Sequence, residues 1–333
     1  MLDLPTIWAG ILGFAVLAYV VMDGFDLGIG ILFPLFPERE HRDRMVNTIA
    51  PVWDGNETWL ILGGGGLFAV FPLAYSVLMT AFYAPLILML LALIFRGVAF
   101  EFRFKVHEES RRWDLAFMLG SMVATFCQGI VLGAFIQGIA VDGRSYAGGW
   151  FDWLTPFSIF TGLALLVGYA LLGACWINLK TDGALQAHAR TLALRLNLAL
   201  LGAIGIASLW TPLLSPEIAA RWFTLPQMLY LSPVPLAVLA AAWAVHRTLQ
   251  RGREWVPFLL AIGLFVVSFA GLGVSLYPYA VPRAITLAEA AGPDSSLSFL
   301  LAGTVVLVPL ILIYTAHAYW VFRGKISQGE VFH

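Results

Sequence analysis

A chain of 333 residues that is 60% hydrophobic and only 12% charged is not built like a soluble domain, which carries about a quarter charged residues and under half apolar ones. The net charge of −1 and the lack of a basic tract give no sign of a nucleic-acid partner. Cys127 and Cys175 both fall inside apolar runs, so they read as small packed hydrophobes, not as a disulfide framework or a CxxC metal site. Apolar runs of about 20 residues, enough for the ~30 Å hydrocarbon core, recur along the chain and define a polytopic membrane protein.

In chain order, nine spans are predicted: 6–34, 49–70, 77–98, 114–138, 155–178, 193–212, 227–247, 256–277 and 298–321. The start MLDLPT lacks the basic region of a signal peptide, so the first span is expected to be retained. The segments after spans one, three, five, seven and nine hold Arg39, Arg42, Arg44, Arg96, Arg103, Lys105, Arg111, Arg112, Lys180, Arg190, Arg195, Arg247, Arg251, Arg253, Arg323 and Lys325, 16 of the 19 basic residues. The other face keeps Arg144, Arg221 and Arg283. Positive residues stay cytoplasmic, which places the N-terminus in the periplasm and the C-terminus in the cytoplasm, and an odd span number satisfies this. The longest loops, 96–113, 139–154 and 278–297, are candidates for reentrant or interfacial segments. Without a soluble insert, a long linker or a clear repeat, residues 1–333 read as a single helical domain. Pro85 and Pro309 are expected to kink spans three and nine.

The first hairpin carries the anomaly. VMDGFDLGIG places Asp23 and Asp26 three apart on one face of span one, roughly 24 and 28 Å along it at 1.5 Å per residue. PVWDGNETWL opens span two in the opposite direction, with Asp54 about 9 Å and Glu57 about 13 Å in. Four carboxyl groups therefore converge near the cytoplasmic end, where an ionised carboxylate costs several kcal/mol unless paired, hydrated or protonated. One reading is a proton path; the other has the acids cap helix ends and pair with Arg39, Arg42, Arg96 or Arg103. Asp54, in a Trp-flanked apolar setting, favours the first. Trp53 and Trp59 suit packing or interfacial anchoring. Gly63, Gly64, Gly65 and Gly66 would let a backbone approach closely, within the chain or from a partner, and with Trp53 they mark a candidate subunit interface.

Histidines at 41, 107, 188, 246, 317 and 333 fall in loops, the tail or span ends, with no pair at mid-bilayer to hold a haem. Met22, Met89, Met118 and Met122 lie in spans but read as gap fillers. HExxH, CxxC and phosphate-loop motifs are missing. Redox cofactors, if any, are expected on another chain. A proton- or ion-coupled transporter is the rival reading, weakened because the acids occupy only one half of the chain.

Several blocks resemble subunit II of cytochrome bd-type quinol oxidases: DGFDLGIG, RMVNTIAPVWDGNETWLILGGGGLFAVFPLAYS, LIFRGVAFEFRFK at 93–105, SLYPYAVPRAITLAEAAGPDSSLSF at 275–299 and VPLILIYTAHAYWVFRGKI at 308–326. The resemblance spans nearly the whole chain, with 180–260 generic. It implies a terminal oxidase of the bacterial inner membrane that oxidises quinol and reduces O₂ to water. Subunit I of that family carries two b-type haems, one d-type haem and the quinol-oxidation loop. Subunit II carries no haem and has nine helices, two four-helix bundles plus one peripheral helix. The implied partners are subunit I in a heterodimer, quinone, lipid and, as an open point, a small single-helix subunit. The family's proton-path aspartate maps to Asp54 and the DGFD acids to Asp23 and Asp26, whereas position 57 varies between Glu and an amide. The short 213–226 segment resembles the cyanide-insensitive branch.

Overall fold

A computed structural model describes residues 3–103, 105 and 110–326; His107 and His333 lie outside them. The chain folds as helices α1 (Leu4–Leu32), α2 (Arg39–Asn47), α3 (Trp53–Val70), α4 (Pro72–Ala81), α5 (Tyr83–Arg103), α6 (Ser110–Gln137), α7 (Pro156–Lys180), α8 (Gly183–Leu214), α9 (Pro216–Phe223), α10 (Gln227–Leu231), α11 (Pro233–Gln250), α12 (Val256–Leu276), α13 (Leu287–Ala290) and α14 (Asp294–Val321). Two small antiparallel hairpins interrupt them, β1–β2 (Val141–Asp142, Ser145–Tyr146) and β3–β4 (Tyr279–Val281, Ile285–Thr286). Proline opens α1, α4, α7, α9, α11 and α12, where its missing N–H would have had no intrahelical partner. Thr155 and Ser158 cap α7 reciprocally.

Among the described residues, eight helices are long and apolar enough to cross a bilayer. The expected span 49–70 corresponds to α3, whose opening turns WDGNET lower its apolar character. Asn56 meets Met22 and Asp26, Gly63 faces Val16 and Gly66 faces Leu12, so α3 runs antiparallel to α1. The all-helical polytopic membrane fold is therefore present. One four-helix group is α1, α3, α5 and α6; the second is α7, α8, α11 and α12. They join where α7 packs on α1 and α6, and α14 stands at the edge.

Some expectations need correction. The span expected over 77–98 is interrupted at Phe82 between α4 and α5, and Pro85 sits in the first turn of α5. Pro309 lies inside α14, which continues through it. The loop expected over 96–113 is largely helical, because α5 runs to Arg103. Segments 139–154 and 278–297 hold the two hairpins, and the latter also holds α13 and the start of α14. The 213–226 segment carries α9.

The DGFDLGIG stretch serves packing as well as charge. Gly28 lies so close to the Tyr169 carbonyl and to Gly173 that a Cβ there would collide with backbone. Glycine on both helices lets α1 and α7 cross at backbone contact. The residues from Asp23 to Gly30 are all buried. The arginine-rich end of the molecule holds the larger apolar core, including Phe25, Leu27, Phe117 and Trp176. A second core around Trp8, Phe71, Phe82 and Ile285 closes the opposite end. At that end Arg221 donates to the Val274 (2.6 Å), Ser275 (3.3 Å) and Tyr277 (2.5 Å) carbonyls at the end of α12, and Arg283 donates to the Leu214 carbonyl at the end of α8 (3.2 Å). Two of the three exceptions to the charge asymmetry thus neutralise helix C-termini.

Candidate proton-handling site

The helix periods of α1 and α3 bring their acids to one seam. Tyr19, Asp23 and Asp26 share a face of α1, and Asn56 and Glu57 come from the first turns of α3. Asp23 and Asp26 are completely buried. Arg96, also 0% exposed, enters from α5. Its Nη1 lies 2.6 Å from Glu57 Oε1 and 3.4 Å from Asp23 Oδ1, so one nitrogen bridges an acid of each hairpin helix. The guanidinium stands over the Trp53 ring at 5.6 Å and the Phe117 ring at 5.9 Å, a contact that favours a desolvated cation. Three carboxyl groups share this one cation. In a low-dielectric site a single guanidinium compensates a single carboxylate. Asp23 Oδ1 and Oδ2 and Asp26 Oδ1 have no hydrogen-bond donor among the described residues.

One polar branch leaves Asp26, and a second lies beside Asp23. Asn56 Nδ2 donates to Asp26 Oδ2 at 2.7 Å, and the Tyr319 hydroxyl of α14 donates to Asn56 Oδ1 at 2.8 Å. On the other side, Gln128 Nε2 donates to the Tyr19 hydroxyl and the Tyr169 hydroxyl donates to Gln128 Oε1, both at 2.8 Å. This second branch ends against Phe265 in the core. Glu57, with a side chain 30% exposed, links the buried acids to the surface. Asp54, one turn earlier, is exposed and takes no hydrogen bond or ion pair among the described residues.

The pairing alternative is resolved base by base. Arg96 is the base that meets the intramembrane acids. Arg103 instead bonds Asp114 (2.5 Å) and Asp43 (2.6 Å), Arg42 pairs with Asp114 (3.0 Å), and Arg39 lies 3.8 Å from Asp43. Trp53 is partly buried against Arg96 and Phe100. The four glycines divide: Gly63 and Gly66 pack on α1, while positions 64 and 65 face open space. Asp54, Thr58, Ile61, Gly65 and Phe68 form an exposed stripe along α3. Tyr19, Gln128, Tyr169 and Tyr319 were not singled out from sequence; a lone amide in TFCQGIV and the tyrosine in TAHAYW were the available signals.

Four of the histidines have neighbours of their own. His41 pairs with Glu38 (3.2 Å), His188 stacks on Phe36, His246 contacts Gln250 and His317 lies by Trp320. No two of them converge, and no group of three His, Cys, Asp or Glu residues that could hold a metal ion occurs among the described residues. The cysteines are unbridged and buried.

Fold and site together define a multi-pass helical membrane protein with a buried, ion-paired acid cluster opening at one surface. Residues 4–322 match the family profile described as cytochrome bd terminal oxidase subunit II, and the chain belongs to that family, a subunit of an oxidoreductase complex. Similar proteins include cytochrome bd-I ubiquinol oxidase subunit 2 of Escherichia coli (strain K12), 28% identical over 98% of this chain and 96% of that one. Cytochrome bd ubiquinol oxidase subunit 2 of Bacillus subtilis (strain 168) is 28% identical over 99% of each. The fold is also that of a chain in the structure of bd oxidase from Geobacillus thermodenitrificans, with a TM-score of 0.78 and 18% identity over 96% of this chain and 99% of that chain. These matches do not favour the transporter reading.

Proposed function

We propose that the chain is the haem-free second subunit of a bacterial inner-membrane oxidase that passes electrons from quinol to O₂, supporting the haem-bearing subunit I and taking up protons from the cytoplasm. The single observation that carries this reading is the Arg96-centred cluster, sealed at Asp23 and Asp26 and open to the surface through Glu57 toward Asp54. Protons arrive at Asp54, pass to Glu57 one helical turn away, and are held among Asp23 and Asp26 with Arg96 as counter-charge. Each electron placed on a buried haem is stabilised by a compensating proton, because an unpaired charge in low dielectric is costly. The two b-type haems and one d-type haem sit in subunit I, and the exposed α3 stripe with Gly64 and Gly65 docks there. The arginine-rich end faces the cytoplasm and the N-terminus the periplasm, an orientation that the charge asymmetry supports.

Asp54→Asn in the assembled complex is expected to slow quinol-driven O₂ consumption while haem content stays near that of the unsubstituted complex. Full turnover would refute the role of Asp54; loss of the d-type haem would point to a structural role instead.

A further inference from the structure

The edge helix α14 reaches the acid cluster through Tyr319. Its apolar body is only 6% buried. It is fixed at one end by Trp8 Nε1 donating to the Leu297 carbonyl (3.1 Å) and at the other by Lys180 Nζ, which donates to the Phe322 and Gly324 carbonyls. Next to that second anchor, Tyr319 packs edge-on to Trp176 and reaches Asn56.

The orientation of the Asn56 amide follows from its neighbours. Met22 O, 3.3 Å from Asn56 Nδ2, can only accept a hydrogen bond, so the NH₂ side must face it and Asp26 Oδ2. The amide oxygen therefore faces Tyr319, whose hydroxyl must donate. Asp26 Oδ2 is thereby committed as an acceptor, and Oδ1, with no donor among the described residues, is left to carry a proton.

We infer that Tyr319 is a positioning residue which, acting through Asn56, fixes Oδ1 as the protonatable oxygen of Asp26. The inference deepens the proton-uptake reading proposed above and rests on it. Without the tyrosine hydroxyl only the longer 3.3 Å contact to Met22 O opposes inversion of the amide, which would turn its oxygen to the carboxyl so that a proton on Oδ2 is held by Asn56. The titratable or charged groups around Asp26 are Asp23 on α1, Glu57 on α3, Arg96 on α5 and Tyr319 itself on α14. Any pH response is read against all four.

The test uses the whole oxidase complex carrying Tyr319→Phe, Asn56→Ala, both together, or Asp26→Asn. The measurements are quinol-driven O₂ consumption against pH and the visible haem spectrum. Tyr319→Phe is expected to lower kcat roughly two- to tenfold, the range open to loss of one ordinary hydrogen bond, with KM for quinol and haem content unchanged and the pH–rate profile displaced. In the Asn56→Ala background Tyr319→Phe should add nothing, because its effect runs through that amide. Full turnover or an undisplaced pH profile in Tyr319→Phe overturns the inference. So do multiplicative effects of the two substitutions, or loss of haem in Tyr319→Phe, which marks an assembly role. Asp26→Asn separates the two levels: if it slows turnover while Tyr319→Phe does not, only the positioning role fails. If Asp26→Asn is fully active, passage through Asp26 fails as well.

Discussion

A guanidinium buried among carboxyl groups and two aromatic rings sets the electrostatics of the acid cluster. Removing it as Arg96→Gln leaves Asp23 and Glu57 without their cation. Breaking a buried pair from one side costs about 3–5 kcal/mol, so the thermal midpoint of the complex should fall by many degrees. Adding Asp23→Asn should recover part of that loss, since it deletes a charge the guanidinium had compensated; an unchanged midpoint in Arg96→Gln would show that the cluster is solvated. The acids themselves were legible in the sequence because a charge inside an apolar run is an anomaly that needs no structure to notice. Arg96 was visible only as one of four bases near a span end, and choosing it over Arg103 required knowing that Asp43 and Asp114 occupy the latter. Tyr319 could not be paired with Asn56 from sequence, since 263 residues separate them and a tyrosine near a membrane interface is unremarkable by type.

At the scale of elements, glycine spacing decides which helices touch. Gly28→Ala would push a methyl group into the Tyr169 backbone, and overpacking of that kind costs about 1–3 kcal/mol. Its expected outcome is poorer accumulation of the complex and a lower melting temperature. Gly64→Ala meets open space within this chain, so it should leave the subunit's own fold intact and weaken retention of subunit I through detergent washing. Equal effects from the two would contradict the division of glycines into internal and outward-facing sets. The apolar periodicity located most helices, but it could not fix the ends of α5 and α8, which run on through polar residues once neighbouring helices satisfy them. Nor could it reveal the hairpins at 141–146 and 279–286, whose strands are too short to show a period.

Across the whole molecule, the charge asymmetry read from the sequence has a structural counterpart. The arginine-rich end binds the C-terminal segment as a strap: Ile326 N donates to the Lys180 carbonyl (2.9 Å), Arg44 Nη2 reaches the Ile326 carbonyl (3.0 Å) and Asp182 (2.8 Å), and Lys325 pairs with Glu254 (2.7 Å). Asp182 is held below its ordinary value of 3.8 by the Arg44 hydrogen bond, and Glu254 below 4.5 by that of Lys325. Both pKa values are depressed in the folded state, so the support they give is present above those ordinary values and is lost as pH falls through the lower folded ones. The carboxylates are exposed, which keeps the effect small. Amide exchange at Ile326 should therefore accelerate in acid below about pH 4 relative to amides of the α7 core, and a rate that tracks the core would contradict the strap. The central claim concerns proton delivery, and its most direct measurement follows proton uptake with a pH indicator as the reduced complex meets O₂. Asp54→Asn should delay uptake while the haem spectrum stays unchanged; uptake as fast as in the unsubstituted complex would contradict the account.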